Sequence, residues 1–179
     1  MINFEPTHSP FFTANKNYCE SIESKLKTIH VDCFGWCNSY GYEIEATLKK
    51  NNLTYAIKFH KHQSTQNGMI IPVNSHEYEG IELLVKGLNK RCSATIGKSA
   101  LRRLFMSKVM KEKIPSPYFV KLNYPADANF IDDLVKKILN DNISTFKLSN
   151  GTLICKIHTA ITDPLDLIAN IEKTIKNWA

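Results

Sequence analysis

The sequence predicts an α+β fold in which helices pack on an antiparallel sheet built from hairpins. Apolar and polar residues alternate in four runs, which is the spacing of half-buried strands. These runs are residues 42–49, 55–60, 143–148 and 153–158. Asn51-Asn52 separates the first pair of runs and Asn150-Gly151 the second, and turns this short join antiparallel neighbours. Segments 130–139 and 167–178 carry helical apolar stripes that need a sheet to cover them.

The remaining segments complete the order of elements. Segment 76–91 fits either a helix or a strand, and Gly80 and Gly87 favour the strand because glycine destabilises a helix interior. The other expected elements are a helix at 17–30, a strand at 69–73, a helix from the Ser99 cap to residue 112, a strand at 118–122 and a helix that begins at Asp163-Pro164. The order therefore ends in a C-terminal β-α-β-β-α unit.

The length and composition fit one domain that spans residues 1–179. Of the 179 residues, 43% are hydrophobic and 22% are charged, which is typical of a globular chain and excludes a disordered tail, a fibre or a coiled-coil rod. The segment 114–117, Ile-Pro-Ser-Pro, is the one stiff joint at which two subdomains of a shared sheet would meet.

The pattern of apolar residues and cysteines predicts a cytoplasmic protein. Apolar runs stay well below the roughly 18 residues of a spanning helix, so no membrane partner is expected. Residues 1–10 lack the basic and apolar regions of a secretory signal. The five cysteines are odd in number and irregular in spacing, which favours reduced thiols over a disulfide framework.

The positive charge is concentrated in one segment. The formal net charge is +6, and the segment 86–113 contains nine basic residues and one acidic residue, Glu112. Such a segment can bind a polyanion such as nucleic acid. The candidate contacts are Lys90, Arg91, Lys98, Arg103 and Lys111. The competing interpretation is a core helix with solvated ends, because Arg102 and Lys108 fall within the apolar arc of the helix.

Two pairs of residues have the chemistry of metal ligands. Cys33 and Cys37 offer two thiolates, and His60 and His62 point to the same side of a strand. However, Cys33 and Cys37 flank what reads as a bulky apolar turn, Phe34-Gly35-Trp36, and the neighbouring Lys61 disfavours a cation. The sequence therefore predicts no resident metal and no cofactor.

The segment from Cys92 to Ser99 resembles a phosphate-binding loop, G-x-x-x-x-G-K-[ST], with Cys92 in place of the first glycine. Such a loop also needs a parallel sheet, whereas the predicted hairpins are antiparallel. A helix entry at Gly97-Lys98-Ser99 explains the segment more simply. The sequence also lacks a G-x-S-x-G nucleophile elbow.

These observations favour a small non-enzymatic domain that acts by binding another protein or a second copy of itself. The aromatic start at Phe11-Phe12 and an edge strand near Pro72 are candidate contact elements. One alternative is a weak nucleic-acid or polyanion binder that uses the segment 86–113. A second alternative is a small metal-dependent enzyme.

Overall fold

The computed structural model describes residues 1–62, 65–66, 69–70, 79–89, 93–122, 143–157 and 164–175. The helices in these ranges are α1 (Pro10–Thr28), α2 (Ala100–Leu104), α3 (Lys108–Lys113) and α4 (Pro164–Ile175). The strands are β1 (Ile2–Phe4), β2 (Cys33–Asn38), β3 (Gly41–Lys50), β4 (Leu53–His62), β5 (Thr65–Gln66), β6 (Met69–Ile70), β7 (Glu79–Lys86), β8 (Ala94–Lys98), β9 (Tyr118–Leu122), β10 (Ile143–Ser149) and β11 (Thr152–Ile157).

Nine strands form one sheet in the order β1-β2-β3-β4-β7-β11-β10-β8-β9, and β5 pairs with β6. Within the nine-stranded sheet every neighbouring pair is antiparallel except β1 and β2. The predicted α+β class is confirmed, with the sheet dominant. The helix expected at 130–139 lies outside the described residues, so the C-terminal β-α-β-β-α unit stays a prediction.

Both predicted hairpins are present, and their turns explain why the chain reverses there. Asn51 and Asn52 have φ values of 51° and 62°, and Asn150 and Gly151 have values of 51° and 71°. Two successive positive φ values match the right-handed twist of the flanking strands. The hairpin of β10 and β11 inserts between β7 and β8, and so it joins two parts of the sheet.

Helices α1 and α4 pack on one side of the sheet, which we call the inner face. On α1, the Asn15 amide donates to the Asn38 carbonyl at 3.0 Å, and the Tyr18 ring stacks on Tyr42 with centroids 4.9 Å apart. On α4, Glu172 accepts a hydrogen bond from the Tyr55 hydroxyl at 3.4 Å. Three α4 residues on the predicted stripe are buried: Ile168, Ile171 and Ile175. The stripe residue Trp178 lies outside the described residues.

Two predicted helices have different bounds in the structure. The first begins at Pro10 rather than at residue 17, because Ser9 caps it by accepting from the Phe11 amide and Pro10 occupies the first turn. The helix expected at 99–112 is two helices, α2 and α3. Ser99 caps α2 as predicted, and Ser107 caps α3 by accepting from the Met110 amide.

The segment Phe34-Gly35-Trp36 is the centre of strand β2 and not a turn, so that expectation was wrong. A Cβ atom added at Gly35 would lie 1.9 Å from the Glu43 carbonyl oxygen on β3. Glycine therefore permits the close approach of these two strands. The ambiguous segment at 76–91 contains strand β7, as favoured.

Three further expectations can be compared only with the part of the chain that the structure describes. None of the helices in the described ranges is long and apolar enough to cross a membrane. Pro72, at the expected edge strand, lies outside those ranges. In the joint at 114–117, Ile114 is buried, and the Pro115 carbonyl accepts from the Tyr118 amide; the division into subdomains stays a prediction.

Candidate functional site

The outer face of the sheet, opposite α1 and α4, has two halves that differ in how charges are paired. In the first half, formed by β2, β3, β4, β7 and β11, the Lys58 ammonium lies 2.8 Å from a Glu43 carboxylate oxygen and 3.3 Å from one of Glu45. The Lys156 ammonium lies 2.6 Å from a Glu82 oxygen. We call this the paired half.

These contacts shift the titration of the groups involved. The hydrogen bond to Glu43 raises the pKa of Lys58 above its ordinary value. The hydrogen bond from Lys156 lowers the pKa of Glu82. Both shifts favour the charged forms, so the ion pairs reinforce the cross-strand register on this face.

The second half of the outer face, formed by β8, β9 and β10, presents cations beside apolar groups. Thr95 on β8 is the register partner of Lys121 on β9 and of Lys147 on β10, so these three lie in one row. The Arg102 guanidinium of α2 lies 5.1 Å from the centroid of the Phe119 ring. Within the described ranges, no carboxylate pairs with Arg102, Lys121 or Lys147. We call this the unpaired half.

Beside the unpaired half, α2 and α3 expose a set of large apolar side chains that we call the α2–α3 apolar surface. Its members are Leu101, Leu104, Phe105 and Val109, with exposed fractions of 74%, 67%, 90% and 63%. The competing interpretation of this segment as a core helix is therefore wrong for these four residues. Exposed apolar residues that cluster mark interaction sites more often than isolated ones do.

Arg103 holds this surface against the sheet. Its guanidinium donates to the Tyr118 carbonyl at 2.8 Å, the Lys111 carbonyl at 2.7 Å and the Pro115 carbonyl at 3.3 Å. The Lys111 ammonium in turn donates to the Leu104 carbonyl at 2.9 Å. These bonds link α2, α3 and β9, so two helices too short to be stable alone keep a defined position.

A cavity of about 610 Å³ lies where α2 meets the unpaired half. It is lined by Thr95, Arg102, Phe105, Met106, Phe119, Val120 and Lys121. Among these described residues, three apolar side chains, two cations and no carboxylate face the cavity, since the Val120 side chain is buried on the inner face with its register partner Ile96. This volume falls within the range of sites that hold a ligand or an inserted side chain.

The five predicted polyanion contacts have different positions. Arg103 and Lys111 hold backbone carbonyls, as described above. The Lys98 ammonium lies 5.4 Å from the Tyr118 ring centroid. Because residues alternate along β8, the Lys98 side chain points to the opposite face of the sheet from Thr95 and Gly97. Lys90 and Arg91 lie outside the described residues. Polyanion binding by this set stays a prediction.

The four candidate metal ligands do not come together. Cys33 is the register partner of Ala46, which pairs with Ile57, so Cys33 and Cys37 point to the inner face. His60 lies an odd number of positions from Ile57 and so points outward with His62. The sheet therefore separates the two thiols from the two imidazoles.

Burial also affects the protonation state of these thiol and imidazole groups. It raises the pKa of Cys33 and of Cys37 and so favours their thiol forms, which are poor metal ligands. Burial lowers the pKa of His60, and its buried Nδ1 atom has no hydrogen-bond partner among the residues that the structure describes. Within the described ranges, no three metal-ligating side chains form a cluster.

The segment that resembles a phosphate-binding loop also has an ordinary structural role. Gly97 and Lys98 end strand β8, whose neighbours β9 and β10 are both antiparallel to it. Ser99 caps the five-residue helix α2. Cys92 lies outside the described residues. The parallel strand arrangement that such a loop requires is not found at β8.

Sequence reasoning missed the residues that line the cavity. On the helical wheel Arg102 and Phe105 both fall within the apolar arc, which is compatible with a core helix. Lys121 and Lys147 were ordinary polar positions in two strands far apart in sequence. The clue was the conflict on the helical wheel, since a cation within an apolar arc can mark an arc that faces solvent.

Comparisons with known protein families, with curated proteins and with solved structures give no match to this chain.

Proposed function

We propose that this protein acts by binding another protein, and that the contact is made by the α2–α3 apolar surface. The observation that supports this proposal is the exposure of four large apolar side chains on one short segment, with Phe105 90% exposed. Apolar side chains of this size stabilise a complex by leaving water, by about 1.5–3 kcal/mol each when fully buried. Protein interfaces concentrate their binding energy in a few central, fully desolvated residues.

The position of this surface also suits recognition. The hydrogen bonds of Arg103 fix α2 and α3 to β9 before any partner arrives. A surface that is already ordered loses little conformational entropy on binding. The apolar residues therefore contribute to affinity without a large ordering cost.

Charge favours a different protein over a second copy of this chain. Residues 98–113 contain six basic residues and one acidic residue, Glu112. A two-fold dimer places the same surface on both sides of the interface. Such a dimer through α2 and α3 would bring like charges together, which disfavours it.

The surface suits a protein better than a nucleic acid. A polyanion binds through cations that are free to contact phosphates. Here Arg103 and Lys111 donate to carbonyl groups, and three exposed residues between them, Leu104, Phe105 and Val109, are apolar. An apolar centre with a charged rim is the usual arrangement of a protein–protein contact.

The proposal is tested by placing a photo-crosslinking amino acid at position 105. A second variant carries the same group at Tyr40, which is 51% exposed and lies in the turn between β2 and β3. We expect one protein to be crosslinked through position 105 and not through position 40. That partner is then purified, and its affinity is measured for the wild type and for a Leu104→Ser, Val109→Ser variant.

We expect this double variant to bind the purified partner at least about tenfold more weakly, because it removes two apolar contacts. A matched Tyr40→Ser variant should bind as the wild type does. Equal affinity of the double variant and the wild type would contradict the proposal. Binding of duplex or single-stranded nucleic acid at physiological salt, lost in an Arg102→Glu variant, would instead favour the nucleic-acid alternative.

A further inference from the structure

We propose that the cavity between α2 and the unpaired half is an anchor site for an acidic amphipathic segment of the partner. A bulky apolar side chain would enter the cavity, and neighbouring carboxylates would contact Arg102 and Lys121. This inference rests on the proposed function, and it adds the chemistry that the partner must have.

The cavity itself indicates an inserted apolar group. Its apolar walls include Phe105, Met106 and Phe119, and its volume is about 610 Å³. The Phe119 ring packs against Gly97, where an added Cβ would lie 3.2 Å from the ring. The absence of a side chain at Gly97 therefore lets the ring pack closely against strand β8 and form an apolar wall.

Arg102 is held in place to receive an anion. Its guanidinium lies 5.1 Å from the Phe119 ring centroid, a distance typical of a cation–π contact. This contact restricts the side chain without using its N–H groups, which are the donors that match a carboxylate. No carboxylate in the described ranges occupies them.

Two lysines extend the positive charge along the same face. Lys121 lines the cavity, and Lys147 flanks Thr95 on its other side. Each lies on a strand next to β8, so the strand spacing of roughly 4.8 Å sets their separation from Thr95. An anion that contacts Arg102 therefore has further cations within reach on a rigid sheet.

An acidic protein segment satisfies both requirements at once. An amphipathic segment with leucine or aromatic residues beside aspartate or glutamate presents apolar and anionic groups at fixed spacing. An anionic membrane also combines apolar and charged groups, but it offers a flat boundary and not a side chain that fills a cavity. The concave site therefore favours the protein segment.

The test uses a display library of random 12-residue peptides, panned on the purified full chain. We expect enriched peptides to combine Asp or Glu with Trp, Phe or Leu within four positions. Affinities of the synthetic peptides are then measured by fluorescence anisotropy against the wild type and an Arg102→Glu, Lys121→Glu variant. We expect at least about a tenfold loss of affinity in that variant, because attraction at two positions becomes repulsion.

A matched control keeps the net charge change the same. Lys49→Glu with Lys86→Glu reverses two exposed lysines away from the cavity, and this variant should keep wild-type affinity. Peptides with their acidic residues changed to lysine should bind the Arg102→Glu, Lys121→Glu variant better than they bind the wild type. This reversal would not arise from a variant that merely unfolds.

The outcomes separate the two proposals. Enriched peptides that lack acidic residues and lose binding only in the Leu104→Ser, Val109→Ser variant would overturn the anchor chemistry and leave the proposed function intact. Failure to enrich any peptide would also overturn the anchor site, while the crosslinking at position 105 tests the function separately. Sedimentation of the protein with phosphatidylglycerol vesicles, lost in a Phe105→Ser variant, would assign the surface to a membrane and contradict both.

Discussion

The two halves of the outer face belong to one continuous sheet, yet within the described ranges only the paired half matches its lysines with carboxylates. In the paired half, Lys58 is held between two glutamates and Lys156 contacts Glu82. In the unpaired half, Lys121 and Lys147 flank a threonine. The net charge of +6 describes neither half. The difference lies in whether a carboxylate of the described residues stands beside each cation, and this cannot be read from a count of charges.

The largest contrast is expected between two adjacent arginines. Arg103→Ala removes hydrogen bonds to three carbonyls, and we expect it to lower the free energy of unfolding by about 2 kcal/mol. Arg102→Ala should change it by less than about 0.5 kcal/mol, since the side chain is exposed. Urea denaturation of both variants measures the difference. Equal stability of the two variants would show that Arg103 does not hold α2 and α3 in place.

A smaller contrast is expected between lysines of the two halves. Lys58→Ala leaves Glu43 and Glu45 without their shared cation, and we expect a loss of about 0.5–1 kcal/mol at low salt. Lys147→Ala should be neutral within about 0.3 kcal/mol. Raising the salt concentration should shrink the effect at Lys58, because salt screens exposed ion pairs. A salt-independent loss at Lys58 would point to packing by its aliphatic chain instead.

The stability contributed by the paired half should also depend on pH. The pKa of Glu82 is lowered in the folded protein, so its contribution to stability is complete above the ordinary pKa of about 4.5. The contribution is lost as the pH falls through the lower pKa of the folded state. We therefore expect Glu82→Gln to lose less stability than the wild type below pH 4.5, as measured by thermal unfolding. The control is Glu112→Gln, which removes an exposed carboxylate and leaves the ion pair of Lys156 and Glu82 in place.

The smallest expected effect concerns His60. Burial lowers its pKa below the ordinary value of 6.5, so the unfolded chain binds a proton more readily than the folded one. Stability should fall as the pH drops below 6.5 towards the pKa of the folded state. We expect His60→Gln to flatten this part of the stability curve. An NMR titration that places the His60 pKa above 6.5 would contradict the prediction.

Local signals explain which parts of the fold could be predicted. The hairpins were predictable because Asn51-Asn52 and Asn150-Gly151 fix the turn without help from the rest of the chain. Strand β2 was missed because its outer face carries the large apolar residues Phe34 and Trp36 and its inner face contains Gly35, which reverses the usual alternation. The break between α2 and α3 was missed because the apolar spacing continues across Ser107.

The candidate site was less predictable because it depends on contacts between distant segments. The separation of Cys33 from His60 follows only from the register of β2, β3 and β4. Likewise, Lys121 and Lys147 become neighbours of Thr95 only when β9 and β10 pair with β8. Charge counting located the segment 86–113 but could not tell Arg103, which donates to three backbone carbonyls, from Arg102, which lies over the Phe119 ring.

The insertion of the β10–β11 hairpin has a consequence during synthesis of the chain. Val85 on β7 pairs with Leu153 on β11, and Ile96 on β8 pairs with Phe146 on β10. Until the ribosome has made the hairpin, the edges of β7 and β8 have no strand between them. At about 5–20 residues per second, the wait from residue 86 to residue 157 lasts roughly 4–14 s. During this interval the nascent chain carries open strand edges that can bind other nascent chains, so chaperone demand should be greatest then.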